Sequence, residues 1–212
     1  MKKMIALTWG LISFSAFGAS TGWESTPWTD FVMADFPAAG SVEEKRDFDE
    51  LYHWQKTRTS AECAEAKAQG TPHFQQLFSA LFTAKEVSRV EYLVGRAMKL
   101  GDNLAGDFKD HFQRPRPYQA NSGIRPCINM PKGARAYPSG HATIGSVGSC
   151  ILKEIFPTRA AEIETAGRRV GDLRVIGGVH HPSDIQAGWQ LGQDICKTIL
   201  ADPDFQKELK AL

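Results

Sequence analysis

Arg174-Val175-Ile176-Gly177-Gly178-Val179-His180-His181-Pro182-Ser183-Asp184 brings a fixed cation, two adjacent histidines and a carboxylate into one short stretch. The two glycines loosen the backbone just before the histidines. Pro182 restarts regular structure, because its fixed φ suits the first position of a helix and its missing N–H costs nothing there. His180 and His181 therefore stand at a helix N-terminus, where free backbone N–H groups attract anions. Asp184 lies one turn in. It can accept a hydrogen bond from one imidazole nitrogen and leave the other free to attack, the arrangement of an oriented nucleophile. Taken alone, the stretch reads equally well as an exposed His-His turn followed by an acidic first turn.

Outward from this stretch the chain reads as helical throughout. The Pro182 helix runs to about Leu200, and Asp202-Pro203 caps a final short helix. Before it, Pro157 opens a helix that ends near Gly177, and another runs from about Ser139 to Phe156. Asn121 to Tyr137 contains Gly and Pro and few periodic apolar positions, so it reads as a long loop, a feature often functional in compact domains. Thr83-Ala84-Lys85-Glu86 has the capping-box pattern, and Val87, Val90, Val94, Leu104 and Phe108 then mark one face of a long helix ending near Phe112. Arg114-Pro115-Arg116-Pro117 stops it. A shorter helix is expected over Phe74 to Phe82. Gly70-Thr71-Pro72 separates that helix from an earlier one, which starts at the capping pattern Ser41-Val42-Glu43-Glu44 and carries a stripe of Phe48, Leu51 and Tyr52. Thr21 to Gly40, rich in Trp, Pro and Gly, reads as an irregular arm packed on the domain. No run alternates like a strand and no linker divides the chain, so the expectation is a single all-α domain.

With 212 residues the chain is long enough for one domain with a sizeable core. A formal net charge of +1 argues against a nucleic-acid polymer as partner, which calls for a basic excess. Residues 1–19 have the layout of a secretory signal peptide: Lys2 and Lys3, an apolar run from Met4 to Phe17, then small residues including Gly18 and Ala19. The run is short for a membrane span, and no other stretch is long and apolar enough. The expected mature domain, 20–212, is thus periplasmic or secreted, without stable membrane insertion. Cys63, Cys127, Cys150 and Cys196 suit such a compartment. Cys63 and Cys127 lie in polar surroundings and are the favoured bridge. Cys150 and Cys196 fall on expected helices beside apolar neighbours, where buried free thiols compete with a second bridge. None has the close spacing of a zinc site.

Two further stretches carry chemistry. In Pro138-Ser139-Gly140-His141, Ser139 is a good N-cap, Gly140 lets a ligand approach the backbone and His141 stands at the mouth of the helix. In Lys109 to Pro117, Lys109 projects from the end of the long helix and Arg116 follows it. Each alone reads as ordinary: a capped helix with an incidental histidine, and a solvated basic helix end. Together, Lys109, Arg116 and Arg174 supply enough positive charge to surround a phosphate dianion, and Arg matches its oxygens with paired donors. Two histidines supply a nucleophile and a proton donor. These are the requirements of phosphoryl transfer.

The pattern K-x6-R-P, P-S-G-H and R-x5-H-x3-D, here Lys109…Arg116-Pro117, Pro138 to His141 and Arg174…His180…Asp184, resembles the signature of the type 2 phosphatidic acid phosphatase superfamily, which includes the vanadium haloperoxidases. The chain is most similar to the bacterial class A non-specific acid phosphatases. The resemblance implies an all-α, single-domain helical bundle that hydrolyses small-molecule phosphate monoesters with no metal or cofactor, and that binds vanadate as a phosphate mimic. It implies that His180, rather than His181, attacks phosphorus, oriented by Asp184, and that His141 protonates the leaving alcohol. Lys109, Arg116 rather than Arg114, Arg174, the Ser139 hydroxyl and the Gly140 N–H would bind the phosphate. Leu173 stands where the family often has Ser. Tyr118 and Tyr137 flank the motifs, either at the entrance or as core aromatics. Alternative activities within the superfamily are lipid or pyrophosphate phosphatase and, less in keeping with the chain's size, haloperoxidase. The sequence leaves homo-oligomerisation open.

Overall fold

Between its first and last turns, the sequence Gly140–Ile155 is small or apolar on every side, the composition of a helix whose middle is enclosed by neighbours. This helix, α6, is the axis of the fold. In the computed structural model, which describes residues 22–212, it packs against α4 (Ala84–Phe112), α7 (Ala160–Ile176) and α8 (Pro182–Ala201). The signal-peptide reading lies outside the described residues. Glycines set how closely α6 is approached. A Cβ on Gly192 of α8 would come within 2.6 Å of the Thr143 carbonyl, and Cβ atoms on Gly145 and Gly188 would collide with the carbonyls of Gly167 and Ser139. Phe78, Val90, Val94, Ile151, Leu152, Ile195 and Ile199 fill the surrounding core. Each such burial contributes about 1.5–3 kcal/mol relative to exposure.

Among the described residues there is no strand, and the all-α expectation holds. The Thr83 capping box is present, and α4 ends at Gln113, whose φ of 51° turns the chain out of the helix toward the Arg-Pro stretch. Two boundaries differ from the sequence reading. The helix expected from Ser41 to the Gly70 break is two helices, α1 (Val42–Thr57) and α2 (Ser60–Ala68). Thr59 and Glu62 form a capping box that starts the second. The Arg58 guanidinium between them donates to the carbonyls of Ile176, at 2.9 Å, and Arg125. Tertiary bonds thus take over where helical propensity would have continued. Phe74 to Phe82 is one turn of α3 (Phe74–Leu77) followed by a 3₁₀ turn. The short α5 (Pro117–Ala120) and α9 (Pro203–Lys210) complete the set, and the long loop follows α5.

The N-terminal arm packs as expected. Trp23 is buried edge-on to Phe205, with ring centroids 5.2 Å apart, and Trp28 meets Phe108 at the same separation. Cys63 and Cys127 are bridged. Cys150 and Cys196 are bridged too, which removes the free-thiol reading. α6 and α8 pack side by side, so two apolar-flanked cysteines that look like core residues face each other across the contact. No described helix is long and apolar enough to cross a membrane.

Candidate active site

The C-terminal ends of α4 and α7 and the N-terminal ends of α6 and α8 meet at a cavity of about 730 Å³. Lys109, Arg116, Gly140, His141, Arg174 and His180 all line it. Residues from three separated stretches therefore share one wall. The turn after α7 accounts for much of this. Gly178 adopts φ 79°, a region that disfavours side chains, and the N–H groups of Val179 and His180 fold back onto the Arg174 carbonyl at 3.0 and 3.3 Å. The Ser139 N–H donates to the Asp184 carbonyl at 2.9 Å, which ties the start of α6 to the first turn of α8.

His180 is buried between two partners that fix its tautomer. Its Nδ1 lies 3.1 Å from Asp184 Oδ2 and its Nε2 lies 3.0 Å from an Arg116 nitrogen. A carboxylate only accepts and a guanidinium only donates, so Nδ1 carries the hydrogen and Nε2 keeps its lone pair. Burial, with Arg116 adding to it, lowers the His180 pKa to about 3 despite the Asp184 hydrogen bond, which keeps the ring neutral. Burial alone would raise Asp184. The hydrogen bonds from His180 and His181 outweigh it and hold the carboxyl below its usual range. His181 also reaches Asp184 Oδ2, at 3.2 Å, but its ring turns away from the cavity and packs edge-on to Phe48.

The cations are held by backbone carbonyls. Arg116 donates to Val179 at 2.9 Å and Arg135 at 3.1 Å, Arg174 to Ala66, and Lys109 to Pro138. The Nε atoms of Arg116 and Arg174 are buried with no partner. Such crowding suppresses charge. Burial and the nearby Arg116 bring Lys109 down to about 7, and burial brings Arg174 to about 10. His141, its Nε2 on the Gln69 carbonyl at 2.9 Å, is pushed well below 6.5 by burial first and by Arg174 next.

Ser139 and the two flanking tyrosines lie off the cavity wall. Ser139 does not line the cavity: its side chain is buried and its hydroxyl accepts from the Ala142 N–H at 3.3 Å, as an N-cap. Tyr137 is a core residue bonded to the Ala34 carbonyl at 2.8 Å, and Tyr118 donates to Pro131. Leu173, in place of the family Ser, is fully buried with Ala66 and Ile176. It packs the residue whose carbonyl holds Arg174. The end of α2, residues 70–73, Gln76, residues 128–131, Asp102, Ile144 and Val179 complete the wall. Sequence reasoning also missed a layer behind His180. Arg114, set aside in favour of Arg116, is buried on Asp184 at 2.6 Å, and Asp47 of α1 binds Arg114 at 3.0 Å. Arg114 was visible in the Arg-Pro stretch; nothing local marks Asp47.

The family model described as the PAP2 superfamily matches residues 92–205. The chain belongs to the PAP2 superfamily. A non-specific acid phosphatase of Providencia stuartii is 28% identical over 166 residues, covering 76% of this chain and 66% of that protein. An acid phosphatase of Zymomonas mobilis is 30% identical over 56% of this chain and 46% of its own length. A non-specific acid phosphatase of Salmonella typhimurium is 30% identical over 64% of this chain and 56% of its own. The matches to this chain thus span 46% to 66% of the length of these relatives. Among solved structures, a bacterial vanadium-dependent iodoperoxidase superposes with a TM-score of 0.63 at 18% identity, covering 87% of this chain and 57% of that one, which shows a shared fold. In this PAP2 chain the matched segment holds all three motif stretches, whereas α1 and α2 lie outside it.

Proposed function

We propose that the chain is an exported, metal-independent acid phosphatase that hydrolyses small phosphate monoesters through a phosphohistidine on His180. The observation that carries this reading is the His180 tautomer: a neutral ring whose Nε2 keeps its lone pair, accepting from Arg116, at the wall of a cavity also lined by Lys109 and Arg174. The unpartnered guanidinium Nε atoms are the donors that phosphate oxygens would satisfy. The acid phosphatases among its relatives support the same class of reaction.

His180 Nε2 attacks phosphorus as the bond to the alkoxide oxygen breaks. His141 gives that oxygen its proton and the alcohol leaves. His141 then takes a proton from water, whose oxygen attacks the phosphohistidine and releases inorganic phosphate with His180 restored. Asp184 stabilises the positive charge that develops on the attacking ring. The cations take the charge spread over the equatorial oxygens, so the reading needs no metal. Burial first and Arg174 next lower the His141 pKa well below 6.5, which favours the neutral ring. A phosphate monoester with a second pKa of about 6 arrives partly protonated under acid conditions, which supplies the proton His141 needs.

The test is rapid quench of the first turnover, with mass spectrometry locating the phosphoryl group. Labelled His180 that persists in EDTA, and inhibition by vanadate, are expected. His180→Ala should lose the intermediate, whereas His181→Ala should keep it. A fully active His180→Ala enzyme, or activity abolished by chelation and restored by a divalent metal, would overturn the reading.

A further inference from the structure

The layer behind the nucleophile contains more charge than an orienting carboxylate needs. Arg114 places one nitrogen 2.6 Å from Asp184 Oδ1 and 2.7 Å from the Ser183 hydroxyl, and its other nitrogen 3.0 Å from Asp47 Oδ2. Asp47 Oδ1 accepts the Ser183 N–H at 2.9 Å, and its Oδ2 accepts the Ser183 hydroxyl. The side chains of Arg114, Asp47 and Asp184 are 3%, 5% and 0% exposed. The Phe36 ring covers the guanidinium at 5.2 Å. Three charged groups have been taken out of water together, which costs several kcal/mol per ion before their attraction is counted. Well-packed apolar residues would often hold such a joint as firmly. The network therefore calls for a reason other than stability.

We propose that Asp47 and Arg114 are positioning residues that act on His180 through Asp184. Asp184 has two oxygens. Oδ2 takes both histidine Nδ1 groups and the His181 N–H at 2.8 Å; Oδ1 is left for Arg114. The guanidinium plane fixes the rotation of that carboxylate, and so the direction of the His180 ring that leans on it. Asp47 fixes the guanidinium from its far side and grips the first turn of α8 through Ser183. The chain of contacts runs from α1, outside the matched family segment, through the Arg-Pro stretch to the nucleophile. It also alternates charge: the Arg114 guanidinium lies between the Asp184 and Asp47 carboxylates, at 2.6 and 3.0 Å. Neither residue lines the cavity, so neither is placed to touch substrate.

This inference rests on the phosphohistidine reading for its kinetic consequence but not for its spectroscopic one. Asp47→Asn preserves shape and removes one charge two residues away from His180. The first-turnover rate should fall roughly 10- to 100-fold, as for a small misplacement of a reacting group, with KM and vanadate affinity unchanged. Arg114→Lys, which keeps the charge and loses the fork, should fall further, and the double variant should be far from additive. In ¹⁵N-histidine spectra of the resting protein, the His180 Nδ1–H signal should shift or broaden in both variants while the His141 signal stays. Circular dichroism and the melting midpoint report whether the fold survives. If Asp47→Asn does not fold, Asp47→Glu decides, since it keeps the charge and displaces the carboxylate by one methylene. A folded variant with wild-type first turnover and an unmoved His180 signal would overturn the proposal. So would a loss confined to KM. If the wild type forms no phosphohistidine, the functional reading fails, while the His180 signal still decides the positioning claim.

Discussion

His141 Nε2 donates to the carbonyl oxygen of Gln69, 2.9 Å away, and that bond fixes which ring nitrogen carries the hydrogen. A carbonyl accepts only, so Nε2 keeps its hydrogen and any further proton must be gained and lost at Nδ1. His141→Ala should therefore harm esters with poor leaving groups most. We expect first-turnover phosphorylation by an alkyl phosphate to collapse while p-nitrophenyl phosphate suffers far less. Equal losses on the two substrates in a rapid-quench burst would contradict the acid role.

Acidification should destabilise the empty protein. His180 is lowered to about 3 on folding, from an ordinary value of 6.5, and His141 is lowered as well. Between those limits the unfolded chain binds protons that the folded chain refuses, so stability is lost as pH falls from 6.5 toward 3. Asp184, held below its usual range, adds to the loss only at the acid end. Melting midpoints across this range should decline in buffer and decline less with saturating phosphate. A midpoint that rises on acidification would refute the burial argument.

Phosphate binding should take up protons. Lys109 sits at about 7 in the empty cavity, lowered by burial and by Arg116, and an arriving anion reverses the second cause. Titration calorimetry at pH 7.5 in buffers of different ionisation enthalpy should give different apparent heats, with a slope that signals uptake. Lys109→Met should flatten the slope. Heats that do not depend on the buffer would count against it.

Ser139→Ala separates a cap from a ligand. Its hydroxyl meets the Ala142 N–H at the start of α6. Loss of such a cap costs about 1 kcal/mol. Chemical denaturation should show that loss, with phosphate affinity nearly intact. A large fall in affinity without a change in stability would mean the hydroxyl turns into the cavity when phosphate binds.

The parts of this molecule legible in the sequence are those written locally. Thr83 with Glu86, Pro182 at the head of α8 and the glycines after Arg174 each state a boundary through their own backbone preferences. The three motif stretches are legible because each packs its chemistry into a few consecutive positions. What escaped is non-local. The Thr59 capping box hid inside an acidic helical pattern, and only the tertiary bonds of Arg58 show why the chain turns there. Asp47 meets Arg114 across 67 residues, with nothing in its neighbourhood to distinguish it from the other acids of α1. Cys150 and Cys196 look like core residues until α6 and α8 are side by side.

The Cys63–Cys127 bridge joins α2 to the loop that leads into residues 128–131 of the cavity wall. The same stretch from α2 lends the carbonyls of Ala66 and Gln69 to Arg174 and His141. A chain made under reducing conditions would possess every reactive group yet lack the clasp that keeps their backbone partners in place. Oxidation at Cys63 and Cys127 is thus part of what holds the cavity wall together.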